Sequence, residues 1–260
     1  MNNKYQIVFF DIDGTLVNED KQVPQDTIRA LAELKANGIE PVIATGRAPY
    51  FFEPIAKLLH IESFVSLNGA YVVYQGEPLL QRTLPPQSLR KLVELAGRHQ
   101  HPLVFQGHER YYANADAHPF IVESVNSLKV EHPGFDPEFW SKSPVYQAFL
   151  HCEEQDEALY EGQFEDLRLI RWHPKAMDVT IRGGSKAVGI AAMLERLGIP
   201  LSDAVAFGDG LNDKEMLQEV GLGIAMGNSH PDLLPYADYV TAAVDEGGIR
   251  HGLRYAGLIS

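Results

Sequence analysis

The sequence contains a single cysteine and few basic residues, and both scarcities restrict what the protein can be. Cys152 has no partner for an intramolecular disulfide, so we expect it to be a small buried apolar residue. The 22 lysines and arginines face 35 aspartates and glutamates, a net charge of −13. A chain this acidic, without basic runs, binds nucleic acid poorly and is repelled by anionic membranes. We therefore expect neither a nucleic-acid partner nor a membrane partner.

Long apolar runs are also missing. No run approaches the roughly 20 residues of a transmembrane helix, and Asp11 interrupts the apolar stretch near the N-terminus, unlike the core of a signal peptide. These features predict a cytoplasmic protein. With 45% hydrophobic and 22% charged residues, the 260-residue chain can build one large domain or two modest ones.

Several catalytic signatures are absent as well. The sequence has no Walker A motif, no G-x-S-x-G and no H-E-x-x-H, and its ten histidines show no zinc-binding spacing. The glycines of segment 221–227 do not follow the G-x-G-x-x-G spacing of a dinucleotide site, and the apolar residues between them predict a strand instead.

The stretch from Ile7 to Thr15 organises the rest of the sequence. Residues 7–10 are β-branched or aromatic, which predicts a strand buried on both faces. Asp11 and Asp13 follow, and both side chains point the same way if the strand direction continues. Two carboxylates this close repel each other, so they require a cation, a proton or backbone N–H donors. An ordinary Asp-Gly turn would explain Asp-x-Asp alone, but Asp-Ile-Asp-Gly-Thr after a buried strand is far more specific.

Helical and strand patterns alternate on both sides of a different middle segment. The first 80 residues read as β-α-β-α-β and a hairpin, which is typical of a parallel sheet, and the alternation resumes at residue 185. Isolated strands and two helical patterns between them predict an α+β insert with an antiparallel sheet. Pro85-Pro86 and Gly183-Gly184 are its predicted hinges. Segment 131–143 has no assignment.

Polar residues follow several strands of the predicted parallel sheet. They are Asp11, Asp13 and Thr15, then Thr45 and Arg47, then Asp209, Asn212 and Asp213, with Lys186 at the start of a helix. Because ligands of such sheets bind at the carboxyl ends of the strands, we expect these side chains to converge. Carboxylate oxygens suit Mg²⁺, lysine and hydroxyl groups suit phosphate oxygens, and a carboxylate can act as a nucleophile. The pattern therefore predicts phosphoryl transfer.

These motifs, in this order, resemble the haloacid dehalogenase (HAD) superfamily, and within it the Cof-type, class IIB phosphatases. The matching stretches are Asp11-Ile12-Asp13-Gly14-Thr15, Thr45-Gly46-Arg47, Gly183-Gly184-Ser185-Lys186 and Gly208-Asp209-Gly210-Leu211-Asn212-Asp213. The resemblance spans nearly the whole chain. It implies an α/β fold with a Rossmann-like parallel-sheet HAD core, formed by residues 1–83 and 184–260. Residues 84–183 would form an inserted α+β (class IIB) cap domain that determines substrate specificity.

The resemblance also implies a role for each acidic residue. Asp11 would be the nucleophile that forms an aspartyl-phosphate. Asp13 would be the general acid/base, which protonates the leaving alcohol and then activates the hydrolytic water. The expected Mg²⁺ ligands are Asp11, the backbone carbonyl of Asp13, and Asp209, with Asp213 close by.

The remaining predicted site residues bind the substrate. By the same resemblance, Thr45 and Lys186 would hold the phosphate and Asn212 would support them. Further candidate contacts are Arg47 and Asn68 from the core, and His173 and Lys175 from the cap. In isolation, Lys186 is also explained by a solvated helix start and Arg47 by a surface ion pair. The aromatic residues of the insert are more often packing residues than ligand contacts.

The favoured function is a Mg²⁺-dependent phosphatase acting on small-molecule phosphate esters such as sugar phosphates. A phosphomutase would use the same aspartyl-phosphate but return the phosphoryl group to a sugar. A receiver-type signalling domain also combines acidic residues, Mg²⁺, threonine and lysine, but it has about half this length and no insert. A non-catalytic metal-binding scaffold would not need the complete set of catalytic groups.

Overall fold

The computed structural model describes residues 4–260, which form two compact units. The first unit comprises the described residues up to Arg47, then Phe52–Leu80 and Ser185–Ser260, and the second comprises Ala48–Phe51 and Gln81–Gly184. The predicted boundaries after residues 83 and 183 lie beside the bounds after Leu80 and Gly184. Residues 1–3 of the predicted core lie outside the described range. The role of the second unit as a cap stays a prediction.

The strands and helices are numbered in chain order. The strands are β1 (Ile7–Phe10), β2 (Glu40–Ala44), β3 (Phe64–Ser66), β4 (Tyr71–Tyr74), β5 (Glu77–Gln81), β6 (Leu103–Gln106), β7 (Tyr111–Ala113), β8 (Gly134–Phe135), β9 (Gln147–Leu150), β10 (Leu167–His173), β11 (Ala176–Ile181), β12 (Ala204–Gly208), β13 (Leu222–Ala225) and β14 (Tyr239–Val240). The helices are α1 (Gln25–Ala36), α2 (Pro49–Leu59), α3 (Pro86–Arg98), α4 (Pro119–Leu128), α5 (Phe139–Lys142), α6 (Lys186–Leu197), α7 (Lys214–Glu219) and α8 (Gly248–Tyr255).

The first unit is built on a sheet with the order β14-β13-β12-β1-β2-β3-β4-β5. Neighbouring strands from β14 to β3 are parallel, and β4 runs antiparallel to β3. Strand β1 is buried on both faces because Val8 and Phe10 pack in one apolar cluster and Ile7 and Phe9 in another. Residues of α1 and α8 complete the first cluster, and residues of α6 and α7 complete the second. The predicted α/β fold with a parallel sheet is confirmed.

The second unit is built on a sheet with the order β10-β11-β9-β6-β7-β8. Neighbouring strands are antiparallel except β7 and β8, which are parallel. Leu92 of α3 packs in one apolar cluster with Phe105, and Ile121 of α4 packs in another with Val104. Because Val104 and Phe105 are neighbours on β6, the two helices cover opposite faces of the sheet. The predicted α+β insert with a mainly antiparallel sheet is therefore observed.

The proline pair at the start of the insert, a predicted hinge, lies at the N-terminus of α3. Leu84 is buried in the second unit, and its N–H donates to the carbonyl of Val145 at 2.7 Å. Pro86 is the first residue of α3, a position that tolerates proline because its N–H would have no helical partner. Both prolines therefore belong to a folded element.

The structure also bears on two expectations from composition, the burial of the cysteine and the lack of long apolar segments. Cys152 is fully buried, as expected. No helix within residues 4–260 is long and apolar enough to cross a membrane.

Candidate active site

The carboxyl edge of the first unit's sheet gathers the predicted core motifs. Asp11, Thr45 and Asp209 each follow the last residue of a strand, namely β1, β2 and β12. These three strands are adjacent and parallel. Their carboxyl ends therefore lie at one edge, as the sequence predicts.

Lys186 is the centre of a buried ionic cluster. Its Nζ lies 2.5 Å from Oδ1 of Asp11 and 2.6 Å from Oδ1 of Asp213. Lys186 is 1% exposed, Asp11 7% and Asp213 0%. The alternative of a solvated lysine at the start of a helix is thus wrong. A lysine this deeply buried requires charged partners, and two carboxylates supply them.

The start of α6 is held so that Lys186 reaches these carboxylates. The Ser185 hydroxyl caps the helix by accepting the N–H of Val188 at 3.3 Å. Gly69, in the turn after β3, has φ +85°, and a Cβ at this position would lie 2.1 Å from the Ser185 carbonyl oxygen. Only glycine allows the turn and the helix start to approach this closely.

Asp213 also fixes the loop after β12. Its Oδ2 accepts the N–H groups of Asp209 and Gly210, both at 3.0 Å. The same side chain therefore holds Lys186 with one oxygen and the Asp209 loop with the other. Both oxygens are engaged, so Asp213 acts here as a scaffold for the two motifs.

Asp209 faces the loop after β1. The Thr15 hydroxyl donates to its Oδ1 at 3.0 Å. Gly14 has φ +74°, and a Cβ there would lie 2.2 Å from Oδ2 of Asp209. The glycine of the Asp-x-Asp-Gly-Thr motif is required both for its left-handed backbone and for the close approach of this carboxylate.

Asp13 lies in a separate ion-pair cluster. Arg47 donates from Nε to Oδ2 at 2.8 Å and from Nη2 to Oδ1 at 2.6 Å, a bidentate contact. The Nζ of Lys21 lies 2.6 Å from the same Oδ1. Arg47 therefore pairs with the predicted acid/base. Its predicted contact with substrate stays a prediction.

Burial and neighbouring charges perturb the carboxyl groups in different directions. Burial raises the pKa of Asp11 more than the Lys186 ammonium lowers it, and the Asp213 charge adds to the rise. Burial also raises the pKa of Asp209 to about 6, with Asp213 contributing. At Asp13 burial acts upward too, but the hydrogen bonds and charges of Arg47 and Lys21 outweigh it and hold the pKa below its usual value.

The donor set fits a hard divalent cation. Carboxylate oxygens of Asp11, Asp209 and Asp213 all lie within 4.8 Å of one another. Three carboxylates share the single ammonium of Lys186, so the cluster has an excess of negative charge in a poorly solvated place. Such all-oxygen donor sets suit Mg²⁺, Mn²⁺ or Ca²⁺ rather than zinc or copper. Asp213 already accepts three hydrogen bonds, whereas one is described for Asp11 and one for Asp209, so these two side chains have more lone pairs to offer an ion.

Thr45, Asn68 and Asn212 lie near the sheet edge without a demonstrated ligand role. The Thr45 hydroxyl is buried and accepts the N–H of Arg47 at 3.1 Å. Asn68 has φ +53°, and its side chain lies over Gly46. Asn212 is exposed, with Oδ1 beside Gly210. Their predicted roles stay predictions.

His173 and Lys175 belong to the second unit and are engaged within it. His173 Nδ1 accepts the N–H of Lys175 at 3.1 Å. The Lys175 ammonium pairs with Glu153 and lies 4.6 Å from the centroid of the Phe120 ring. These contacts give both side chains a local structural function, and their contact with substrate stays a prediction.

Comparison with known proteins shows which class of enzyme this fold and site define. The model of the haloacid dehalogenase-like hydrolases matches residues 8–253. A putative phosphatase of Bacillus subtilis, YkrA, is 40% identical over 98% of this chain and 98% of its own length. A solved structure from Geobacillus kaustophilus, of a hypothetical protein, is 48% identical with a TM-score of 0.95, covering 98% of this chain and 100% of that one. The solved HAD subclass IIB sugar phosphatase BT4131 is 30% identical with a TM-score of 0.83, over 98% and 100% of the two chains.

These matches define a phosphatase-type hydrolase whose core is a parallel sheet covered by helices. The chain belongs to the haloacid dehalogenase-like hydrolase family. Because its relatives are named phosphatases, the predicted family and enzyme class are confirmed. Phosphatases of this superfamily generally use a metal ion, which agrees with the three-aspartate cluster.

Two site contacts were not predicted from the sequence. Lys21, a turn residue with φ +61°, forms an ion pair with Asp13. Asn228 donates to the Gly14 carbonyl at 2.8 Å and accepts the N–H of Val244 at 2.9 Å, which ties the loop after β13 to the first motif. Neither residue belongs to a recognisable motif, so only the fold reveals them.

Proposed function

We propose that the chain is a Mg²⁺-dependent phosphatase that hydrolyses small phosphorylated metabolites through an aspartyl-phosphate on Asp11. The observation that carries this proposal is the buried arrangement of Asp11, Lys186 and Asp213, with Asp209 in the same cluster. The ammonium holds one oxygen of Asp11 in a fixed place and supplies positive charge where a phosphate would carry negative charge.

The chemistry follows from the two carboxylates of the first motif. A carboxylate oxygen of Asp11 attacks phosphorus and forms the aspartyl-phosphate, while the P–O bond to the leaving alcohol breaks. Asp13 gives a proton to that oxygen. In the second step Asp13 takes a proton from a water molecule, whose oxygen attacks phosphorus and releases inorganic phosphate and free Asp11. For both roles Asp13 must exchange its contacts with Arg47 and Lys21 for contacts with the substrate.

Asp11, Asp209 and the backbone carbonyl of Asp13 would hold the metal, and Asp213 would keep the Asp209 loop in place. When bound, Mg²⁺ neutralises part of the charge of the transferring phosphoryl group. Thr45, Lys186 and Asn212 are the proposed phosphate contacts.

The proposed substrates are small phosphorylated metabolites such as sugar phosphates. This proposal is supported by the sugar phosphatase BT4131, which is similar over almost the whole chain. Arg47, Asn68, His173 and Lys175 remain candidate substrate contacts. We retain the cytoplasm as the proposed location.

Release of inorganic phosphate tests the function and separates it from a phosphomutase. The purified protein is incubated with p-nitrophenyl phosphate and with sugar phosphates, with Mg²⁺ and after treatment with EDTA. We expect phosphate release with Mg²⁺ and almost none with EDTA, with recovery on adding Mg²⁺ but little with Ca²⁺. Asp209→Asn is expected to raise the Mg²⁺ requirement. Isomerised sugar phosphate without net phosphate release would support the mutase, and full activity in metal-free protein would contradict the metal role.

A further inference from the structure

The loop after β13, residues 226–230, contacts both acidic loops of the candidate active site. Asn228 donates from Nδ2 to the carbonyl oxygen of Gly14 at 2.8 Å, in the loop after β1. The N–H of His230 donates to the carbonyl oxygen of Asp209 at 3.0 Å, in the loop after β12. One short segment of chain therefore holds the backbone of the two loops that carry the acidic residues.

These two loops are packed closely where Asn228 and His230 hold them. Gly14 follows Asp13, whose carbonyl is a proposed metal ligand. A Cβ on Gly14 would lie 2.2 Å from Oδ2 of Asp209, the carboxylate of a second proposed ligand. A shift of one loop relative to the other would therefore change the distance between two proposed ligands.

The loop after β13 is itself fixed to the rest of the first unit. The N–H of Met226 donates to the carbonyl oxygen of Gly208, the last residue of β12, at 3.0 Å. A Cβ on Gly227 would lie 2.6 Å from the backbone nitrogen of Ala243. Only glycine permits two backbone segments to approach this closely. Asn228 therefore extends from a backbone that has little room to move.

Both ends of the Asn228 amide are engaged. Nδ2 donates to Gly14, and Oδ1 accepts the N–H of Val244 at 2.9 Å. An amide side chain offers such a donor and such an acceptor together. The residue is exposed, so its truncation leaves no cavity in the core and should cost the fold little. Loss of this side chain should therefore affect the position of the loop after β1 more than the stability of the fold.

The spacing of the two loops matters more for a small ion than for a large one. Mg²⁺ requires near-octahedral geometry with oxygens at about 2.0–2.1 Å, whereas Ca²⁺ accepts about 6–8 oxygens at about 2.3–2.6 Å in flexible arrangements. A fixed spacing therefore discriminates between the two ions, and a loosened spacing weakens Mg²⁺ binding more than Ca²⁺ binding.

We propose that Asn228 is a positioning residue that fixes the distance between the loops after β1 and β12 and so determines how strongly the site prefers Mg²⁺ to Ca²⁺. The inference rests on the proposed Mg²⁺ site of Asp11, Asp209 and the Asp13 carbonyl. It goes further because it assigns the ion preference to a side chain outside that ligand set.

The test measures ion binding directly, by isothermal titration calorimetry of the full-length protein with Mg²⁺ alone and with Ca²⁺ alone. The quantity compared is the ratio of the two dissociation constants, that of Ca²⁺ divided by that of Mg²⁺. In Asn228→Ala we expect this ratio to fall about fivefold, the change in an equilibrium constant that one hydrogen bond commonly provides.

Asn228→Asp separates spacing from charge. The carboxylate still accepts the N–H of Val244 but cannot donate to the Gly14 carbonyl. Its negative charge acts alike on two ions of equal charge, so the effect of charge cancels in the ratio. We therefore expect the ratio to fall to a similar extent as in Asn228→Ala.

Asn37→Ala is the matched control. Asn37 is also exposed and also donates from Nδ2 to a backbone carbonyl, that of Leu258 at 2.7 Å. It precedes β2, whose other end leads to Thr45, so it lies at the opposite edge of the sheet. Each alanine variant loses one bond of the same kind, so in metal-free buffer both melting temperatures should fall by less than about 4 °C. Only the Asn228 variants should change the ratio, whereas a role in stability alone would leave it at the wild-type value.

The outcomes separate this inference from the proposed function. Mg²⁺ binding by the wild type, together with an unchanged ratio in both Asn228 variants, would overturn the positioning role and leave the proposed metal site intact. An equal fall in Asn37→Ala would overturn it too, since any lost hydrogen bond would then have the same effect. A wild-type protein that binds neither ion would refute the proposed metal site and the inference with it.

Discussion

The Lys186 cluster of the first unit and the sheet of the second differ in how their buried polar groups are paired. In the first, Lys186 is buried with both of its carboxylate partners in contact, and the second oxygen of Asp213 is also satisfied. In the second unit's sheet, the buried atoms Nε2 of Gln106 and Nε1 of Trp172 have no hydrogen-bond partner within residues 4–260. Side-chain atoms of Asp26, Thr27 and Arg250, outside the cluster in the first unit, are unpaired in the same way. Complete pairing fixes a geometry, which suits a phosphate group that is common to all substrates. Incomplete pairing leaves the second unit's sheet with hydrogen-bonding capacity that the described residues do not use.

The strongest test of this contrast is removal of the proposed nucleophile. Asp11→Asn keeps the shape of the side chain but loses its charge, so we expect kcat for p-nitrophenyl phosphate to fall at least about 10⁴-fold. Asp20→Asn, an exposed residue of the same region, should keep wild-type kcat. Activity of Asp11→Asn within about tenfold of wild type, in protein free of contaminating phosphatase, would remove Asp11 from the chemistry.

Lys186→Met tests how much the stability of the fold depends on the ammonium group that pairs with Asp11 and Asp213. The change leaves the buried Asp11 and Asp213 without their ammonium, so we expect a loss of about 3–5 kcal/mol in the free energy of unfolding and loss of activity. The double variant with Asp213→Asn should recover part of the stability but no activity. Urea denaturation measures the change.

The matched control for this variant is Lys57→Met. Lys57 is 74% exposed and pairs with Glu53 one helical turn away, so it should change stability by less than about 0.5 kcal/mol. Equal losses in the Lys186 and Lys57 variants would mean that the buried cluster does not hold the first unit together.

The two cations on Asp13 should contribute unequally. Arg47 makes a bidentate contact and is 22% exposed, whereas Lys21 makes a single contact and is 42% exposed. We expect Arg47→Ala to lower kcat about tenfold and Lys21→Ala to stay within about threefold, since exposed pairs contribute little. Steady-state kinetics would show the order, and a larger effect at Lys21 would reverse this assignment.

The smallest expected effect is a change in the pH dependence of stability. Burial raises the pKa of Asp178 to about 7, against the lowering effect of its hydrogen bond from Gln147. The folded state keeps this proton at pH values where an unfolded aspartate, with a pKa near 3.9, has lost it. The contribution of Asp178 to the free energy of unfolding should therefore decline as the pH rises from about 4 to about 7.

Asp178→Asn removes this contribution, so the free energy of unfolding of this variant should decline less across the same interval than that of wild type. The control is Asp116→Asn, at an exposed residue of the same unit, which should behave like wild type. Urea denaturation at a series of pH values measures it. Parallel curves for the three proteins would show that Asp178 is not protonated in the folded state.

The first unit was predictable because its sequence patterns are long and its motifs are specific. Strand β1 has the predicted bounds, Ile7–Phe10, because a continuous apolar run defines it. The motif residues Asp11, Lys186, Asp209 and Asp213 meet because parallel strands place their ends together. The pairing of Lys186 with both Asp11 and Asp213 needed the structure, since spacing alone does not give distances.

The second unit was less predictable because its important contacts depend on strand register. Segment 131–143 contains β8 of two residues and α5 of four, too short to show a period. Gln106 and Gln147 are opposite each other only in the observed register, which is fixed by pairing over long sequence separations. Likewise, the contact of Lys21 with Asp13 depends on a turn conformation that no motif specifies.

The central place of β1 in its sheet has a consequence for protein synthesis. Strand β1 is translated before the insert, but its neighbour β12 begins at Ala204, after the insert, and Lys186 lies in the helix just before β12. Strands β6 to β11 are contiguous in sequence and are translated in between. Since domains generally fold as units during translation, the insert can fold while Asp11 still waits for its counter-charge. A nascent chain therefore completes the cluster of Asp11, Lys186 and Asp213 only after the insert and the segment up to Asp213 have been translated.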